Sequence, residues 1–304
     1  CALPICDARY RPEDGDTFID ENGNGQFDPI YMAGFQNQRP AQGIHDELWA
    51  RAMVIDDRQT RLALVALDAI GFGSDDVIAI RKMLPEELGI DYAIITSTHT
   101  HEAPDLIGLW GASEYESGVD PTYMQYVKEQ SVKAIQLALE SARPANLRLA
   151  QDLTGAESLV SDTRKPEVLD AGIRLLQAVD AETGQTIGTL FNWSNHPETL
   201  WNKNLQITSD FPHFVREAVE NGVYMGDSLM VEGLGGTVVY VNGAIGGLMT
   251  TTPRDSIADP FTNEIHKEAT FAKAKAQGDQ LAMLALSALR DSANVTTLEE
   301  GAIE

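Results

Sequence analysis

The sequence predicts an α/β protein with a mixed, mainly parallel central sheet flanked by helices. Short apolar runs rich in β-branched residues alternate along the chain with longer amphipathic runs. Strands that alternate with helices of this length are typical of parallel sheets. One pair of predicted strands is separated only by "DAETGQ", which favours an antiparallel hairpin and makes the sheet mixed.

Each element follows from a local pattern. The predicted strands are short and apolar, with β-branched or aromatic residues, and in chain order they span 52–55, 62–67, 92–97, 147–150, 173–179, 187–193 and 237–241. Helices are predicted at 75–84, after an Asp-rich start, at 121–142, with Pro121 in the first turn, and at 211–221, after Ser209 and Asp210. A long helix is predicted at 260–290, with Gly278 as a kink. After Arg290 no closing strand is evident.

Composition restricts the classes of partner. The 304 residues carry a formal net charge of −24, which argues against nucleic acid or an anionic membrane surface as partner. No apolar run approaches the roughly 18 residues of a membrane span. We predict an N-terminal segment, 1–31, followed by one α/β catalytic domain, 32–304, that is incomplete at its C-terminal end.

The N-terminus predicts export. The cysteines are Cys1 and Cys6, and a chain that begins with Cys resembles a bacterial lipoprotein after removal of its signal peptide. This predicts a lipid on Cys1, membrane anchoring through it, and an extracellular, periplasmic or cell-surface location in a bacterium. The alternative is that neither cysteine has a role.

An oxygen-rich loop, "DENGNGQFD", predicts a calcium site. Side chains, together with one backbone carbonyl from Gln26, could converge around the turn at Gly25, and Asp14 and Asp16 could complete the shell. The predicted ligands are Asp20, Asn22, Asn24, Gln26 and Asp28. Tyr31 stands where an EF-hand requires a bidentate Glu, so a true EF-hand is not expected. The alternative is a solvated turn without metal.

Histidines follow two predicted strands at their C-terminal ends. His99 and His101, in "ITSTHTHEAPD", are two residues apart, so on an extended segment their side chains point the same way. His196, in "FNWSNHPETL", follows another strand, and this edge of a sheet is where α/β proteins place ligands. Three such side chains with an open position form a zinc site. The alternative is a set of hydrogen-bonded histidines without metal.

Five motifs together carry a family resemblance: "GIHDELWARAMVI", "ITSTHTHEAPD", "FNWSNHPE", "SDFPHFVREA" and "VVYVNGAIGG". In this order they resemble the neutral/alkaline non-lysosomal ceramidase family. The resemblance implies a zinc-dependent amidase that removes the fatty acyl chain of ceramide, with zinc on His99 and His196 and His101 as a polar companion. It also implies that Arg164, in "TRKP", clamps a substrate oxygen. The family's Glu and Tyr ligands would lie beyond Glu304, in a C-terminal remainder.

Departures from the family motifs leave the substrate open. Where the family has Ser-Gly-Pro after the second histidine, this chain has Glu102-Ala103-Pro104-Asp105, and Met249 stands at the position of the family's Ser. We predict a zinc-dependent hydrolase of an amide (N-acyl) bond in a small molecule or lipid. His101, Asp105, Arg164 and Glu198 are the predicted catalytic residues. The alternative is a non-catalytic extracellular structural or assembly protein that keeps this fold and binds calcium.

Other residues have open roles. Backbone N–H groups of "NGAIGG" are a second candidate for stabilising an oxyanion, and Glu102 is a further candidate proton carrier. His45 precedes a strand and could reach the same site, whereas His213 and His266 are expected to be exposed. Three tryptophans lie near the motifs and line either the pocket or the core: Trp110, Trp193 and Trp201.

Overall fold

The computed structural model describes residues 25–246, 249–251 and 255–298, together with Gly23, Gly301 and Ile303. The helices are α1 (Ser74–Met83), α2 (Pro121–Glu140), α3 (Phe211–Asn221) and α4 (Phe271–Arg290). The strands are β1 (Gly43–Ile44), β2 (Ala50–Asp56), β3 (Arg61–Leu67), β4 (Tyr92–Ser97), β5 (Ala145–Asp152), β6 (Ser161–Asp162), β7 (Ile173–Asp180), β8 (Thr186–Trp193), β9 (Gln206–Ile207), β10 (Val223–Met225), β11 (Ser228–Val231), β12 (Thr237–Asn242), β13 (Met249–Thr250), β14 (Ile257–Ala258), β15 (Ile265–His266) and β16 (Thr296–Leu298).

Two sheets form the framework. The larger has the order β12-β8-β7-β5-β16, and the smaller has the order β2-β3-β4. Strands β12 and β8 are parallel, as are β3 and β4, whereas the other neighbours in these two sheets are antiparallel. A mixed α/β fold is therefore observed, but the predicted mainly parallel arrangement is not confirmed. The antiparallel β7–β8 hairpin is as predicted, whereas the short connection between β2 and β3, which permits only antiparallel pairing, adds an antiparallel pair that was not predicted.

The end of the chain differs from the sequence prediction in two places. Helix α4 begins at Phe271, because the Thr270 side chain caps it by accepting from the Lys273 N–H. The segment before it that was predicted as helix, 260–270, contains instead most of the turn and the second strand of the β14–β15 hairpin, and N–H bonds to Asp259 hold that turn. After α4, β16 pairs with β5, so a closing strand is present where none was predicted.

Gly278 does not interrupt α4. An ideal Cβ at this position would lie 2.5 Å from the Cβ of Phe214 in α3, closer than real side chains approach. The glycine therefore allows the backbones of α3 and α4 to pack closely, and α4 continues through it to Arg290. The missing side chain at Gly278 thus serves helix–helix contact, and the predicted kink stays a prediction.

Each sheet has its own apolar core. Strands β3 and β4 pack against α2, whose Ile135 is fully buried, while β7, β8 and β12 pack against α3 and α4 around Trp193 and Phe191. The Asn242 side-chain amide, at the end of β12, donates to Thr98 O after β4 and to Asn195 O after β8. These bonds bring the C-terminal ends of three strands together.

No helix in the described part of the chain combines the length and apolar composition that a membrane span requires. The division into residues 1–31 and 32–304 stays a prediction.

The β7–β8 turn gives a pH-dependent prediction. Asp180 accepts from the N–H groups of Glu182 and Thr183 and pairs with Arg143, and the backbone bonds chiefly lower its pKa to about 2. A depressed folded-state pKa stabilises the protein above the unfolded value of about 4, and this contribution is lost as pH falls toward about 2. We expect Asp180→Asn to lower the urea midpoint at pH 7 and the difference to shrink below pH 4.

Urea unfolding of both proteins from pH 3 to pH 7 measures this effect. Glu182→Gln removes a carboxylate from the same turn and controls for net charge. A difference between Asp180→Asn and the parent that stays constant with pH would contradict the prediction.

Candidate metal centre

Three imidazoles converge where the strand ends meet. His99 and His101 follow β4, His196 follows β8, and one nitrogen from each lies within 4.8 Å of the other two. The Nε2 atoms of His99 and His101 are 3.5 Å apart. The ring centroid of His196 lies 4.9 Å from that of His99 and 5.5 Å from that of His101. The structure thus groups the three histidines that the sequence singled out as zinc ligands.

His99 reaches this cluster through a backbone turn rather than through strand alternation. Strand β4 ends at Ser97, and His99 has a φ of +67°, a left-handed conformation that is unfavourable for a residue with a side chain. The His99 N–H donates to Ala69 O. The two histidines are therefore not on one extended segment, as the sequence argument assumed, and the left-handed residue turns them toward each other.

The protonation state of His99 follows from its neighbour. Its Nδ1 lies 2.6 Å from Ile70 O, which can only accept, so Nδ1 carries the proton and Nε2 keeps its lone pair. Burial is the main cause that lowers the pKa of His99, and the His196 imidazole adds to it. Burial also lowers the pKa of His101 well below its ordinary value, followed by the effects of His99 and His196. The neutral form that this favours is the form that binds a metal.

Hydrogen bonds fix the main chain of His101, and close contacts surround its ring. Its N–H donates to Pro197 O, and its carbonyl accepts from Arg39. Its ring packs edge-on against Phe35, with centroids 5.0 Å apart, and lies against Gly34, which has a φ of +103°. An ideal Cβ on Gly34 would lie 2.5 Å from the Cγ of His101, so only glycine fits.

Glu198 brings a carboxylate to the cluster. Its Oε2 lies 3.2 Å from Nδ1 of His101, and the side chain is 10% exposed. Burial is the main cause that raises its pKa to about 7, against the opposing effect of a hydrogen bond from Thr250. The carboxylate thus lies beside His101, and its catalytic role stays a prediction.

A buried ion pair lies directly behind His101. Arg39 and Glu102 bond through Nη2 and Oε2, and both side chains are fully buried. Burial raises the pKa of Glu102 well above its ordinary value, and the Arg39 guanidinium opposes this shift. Sequence reasoning missed Arg39, which lies 63 residues before Glu102 in a polar loop. The only sequence signal for Arg39 was the charge of Glu102 in a motif expected to be buried. A buried carboxylate requires a cationic partner, but the sequence does not identify which Lys or Arg supplies it.

Two predicted catalytic residues have other contacts. Oδ1 of Asp105 accepts from the N–H groups of Ile107 and Gly108, and Oδ2 accepts from that of Trp110. These bonds hold the loop after the histidines and favour a structural role over the predicted catalytic one. The Arg164 side chain is half exposed and lies 3.5 Å from Oδ1 of Asp162. Strand β6 ends at Asp162 and pairs with β13, which contains Thr250. Arg164 is two residues beyond the end of β6.

The remaining histidines lie elsewhere. His45 does not reach the cluster: its Nδ1 is 2.8 Å from Asp46, and its ring stacks on Phe271. His213 approaches the same Asp46, at 3.5 Å, and is only partly exposed, contrary to expectation. The His266 side chain, 14% exposed, is also more buried than the sequence analysis expected.

The tryptophans divide between core and site. Trp193 is fully buried and donates to Ala171 O, so it belongs to the core. Trp110 donates to Phe35 O, and the Trp201 ring packs on Phe35. Because Phe35 itself contacts the His101 ring, each of these tryptophans is separated from His101 by one residue. A cavity of about 720 Å³ adjoins Trp201, but its lining residues do not include the three histidines.

Other predicted features are only partly described. The N–H groups of Gly243 and Ala244 donate to Asn242 Oδ1 and Ser194 Oγ, which does not favour their use for an oxyanion. Met249 lies in β13, and its side chain is outside the described residues. In the calcium loop, Asp20, Asn22 and Asn24 lie outside them, as does Cys1, whereas Gln26 and Asp28 are described.

The chain is similar to known proteins in sequence and in fold. Residues 24–232 match the profile of neutral/alkaline non-lysosomal ceramidase, N-terminal. The crystal structure of neutral ceramidase from Pseudomonas aeruginosa resembles this fold with a TM-score of 0.67 at 18% identity, over 88% of this chain and 43% of that chain. A ceramidase complexed with C2 gives the same TM-score and identity, over 88% and 42%. The chain therefore spans less than half the length of these ceramidases, and the structural likeness shows the fold alone.

Proposed function

This chain belongs to the neutral/alkaline non-lysosomal ceramidase family, and on that premise we propose that it is a zinc-dependent hydrolase of an amide (N-acyl) bond. The observation that carries the proposal is the cluster of His99, His101 and His196. Family membership supports amide hydrolysis as the reaction, and the cluster supports a metal as its cofactor.

The donor set fits zinc. Nitrogens bound to tetrahedral zinc at 2.0–2.1 Å lie about 3.3–3.4 Å from one another. The Nε2 atoms of His99 and His101 are 3.5 Å apart, close to that separation, and one nitrogen of His196 lies within 4.8 Å of a nitrogen of each of the other two. His99, with its Nε2 lone pair free of a proton, and His196 are the proposed ligands. His101 is either the third ligand or a polar group beside the metal.

Bound zinc would polarise the substrate carbonyl and lower the pKa of a water molecule. The protein supplies the other functions. Glu198, beside Nδ1 of His101, is placed to orient that ring and to accept or return a proton. Arg164 carries a partly exposed positive charge and is the proposed partner of a substrate oxygen.

The fold family supports a lipid amide as substrate, and we propose an N-acyl amide of a small molecule or lipid. Three further proposals come from sequence alone: calcium in the loop from Asp20 to Asp28, a lipid on Cys1, and an extracellular, periplasmic or cell-surface location. A C-terminal remainder that supplies further ligands is a proposal of the same kind.

Metal removal tests the proposed function. We expect about one zinc ion per chain in the purified protein, measured by elemental analysis. Amide hydrolysis should be lost after chelation and restored by added zinc. A panel of N-acyl amides, carboxylic esters and phosphoesters of matched chain length identifies the bond that is cleaved.

The same experiment identifies the non-catalytic alternative, which Met249 at the family's Ser position favours. Bound zinc without turnover on any member of the panel would support it. Hydrolysis by a folded, metal-free protein would contradict the proposed mechanism.

A further inference from the structure

We propose that Arg39 and Glu102 are positioning residues that hold the main chain of His101, and that the affinity of the three-histidine site for zinc depends on them. This inference rests on the proposed function, because it concerns the same site. It assigns a role to a buried ion pair that contributes no ligand atom and is not accessible to substrate.

Arg39 connects three segments of the chain. Its Nη1 donates to Ala33 O at 2.8 Å and to His101 O at 2.7 Å, and its Nε donates to Asn204 O at 3.2 Å. Its Nη2 donates to Glu102. The planar guanidinium offers donors in fixed directions, so these four acceptors are fixed relative to one another. One of them is the carbonyl of His101 itself.

Glu102 keeps the guanidinium in place. Its Oε2 accepts from Arg39 and, at 2.8 Å, from the side-chain amide of Asn204. Both charged side chains are fully buried, so removal of the carboxylate would leave Arg39 without its counter-charge in the protein interior. The pair therefore acts as one unit.

The position of the His101 ring follows from these bonds. The His101 N–H is fixed to Pro197 O, next to the ligand His196, and the carbonyl is fixed to Arg39. Gly34 and Phe35, which contact the ring, belong to the same 31–40 loop that Arg39 holds through Ala33 O. Displacement of Arg39 would release the main chain of His101 and the loop against its ring together.

Stability alone does not account for such a pair. Desolvation offsets most of the attraction between two buried charges, and an apolar pair of similar size is often equally stabilising. Directional bonds to the histidine segment are what an apolar pair lacks. The number and direction of the Arg39 bonds therefore favour a role in positioning His101.

Glu102→Gln and Arg39→Lys test the proposal in metal-free protein, by zinc titration against a competing chelator and by urea unfolding. Gln keeps the shape without the charge, and Lys keeps the charge but has one nitrogen for four acceptors. We expect the zinc Kd to rise about ten-fold or more in each, the lower part of the range for groups that orient ligands. Asn204→Ala removes one bond to Glu102, should raise the Kd less, and is the variant to use if the others do not fold.

Glu220→Gln is the matched control. Glu220 pairs with Arg51 and accepts from Val238 N–H, between α3 and β12, and in the described part of the chain these bonds do not reach the histidine segments. This variant should unfold more easily and bind zinc as the parent does. Variants at Arg39 and Glu102 that lose stability but keep the parent zinc Kd would overturn the positioning role and leave the proposed function standing. A parent protein that does not bind zinc would overturn the proposed function as well.

Discussion

Replacement of His99 or His196 by alanine is expected to reduce bound zinc to background and to lower the rate of amide hydrolysis roughly a thousand-fold or more, the effect of losing several kcal/mol of metal catalysis. Each substitution removes one of three nitrogens that lie within 4.8 Å of one another. The reason for the size of the effect is that the ligands left after either substitution would neither retain zinc nor hold it in an open tetrahedral site. Elemental analysis and steady-state kinetics on the same preparations measure both changes.

His213→Ala is the control. This histidine is partly buried, like the other two, but pairs with Asp46 and is not in the cluster. Zinc content and turnover should stay at the parent level. If His99→Ala or His196→Ala kept both, the cluster would not be the metal site. If zinc were lost and turnover kept, the reaction would not depend on it.

Gly34→Ala is expected to have the second largest effect. The residue has a φ of +103°, and an ideal Cβ would lie 2.5 Å from Cγ and 2.6 Å from Nδ1 of His101. We expect a loss of about 3 kcal/mol of unfolding free energy, from backbone strain together with overpacking. Because the ring that must move is that of His101, we also expect weaker zinc binding.

Gly184→Ala separates strain from contact. Gly184 also has a positive φ, +73°, but no atom lies within 4 Å of its ideal Cβ. Its replacement should cost only about 1–2 kcal/mol, the strain of a left-handed residue. Urea unfolding gives both costs, and zinc titration shows whether only Gly34→Ala affects the site. Equal costs and equal zinc affinities in the two variants would contradict a contact between Gly34 and His101.

Local signals predicted much of the fold. Helix α3 has the bounds predicted from Ser209 and Asp210 before it, and in the structure the Asp210 side chain caps its start. Helix α4 was placed too early because Pro260, a helix-start residue, in fact lies in the hairpin turn that Asp259 holds. The sheet directions could not be read from apolar runs, because strand pairing depends on connections whose turns are not encoded in periodicity.

The sequence predicted which histidines form the site but not how the backbone brings them together. Strand exits and residue type were enough to select His99, His101 and His196. The left-handed turn at His99 was not predictable, because a histidine there gives no sequence signal of the kind that glycine gives. Arg39 was not predictable either, since its contacts with His101 and Glu102 join residues more than 60 positions apart.

The histidines also lie on two separately packed parts of the molecule. His99 and His101 follow β4, which packs on the core with α2, whereas His196 follows β8, which packs on the core with α3 and α4. An ion held by all three would bind only the state in which both cores are folded and adjacent, and would stabilise that state by mass action. Zinc would then be a thermodynamic cross-link, whose binding free energy makes the two halves unfold as one cooperative unit.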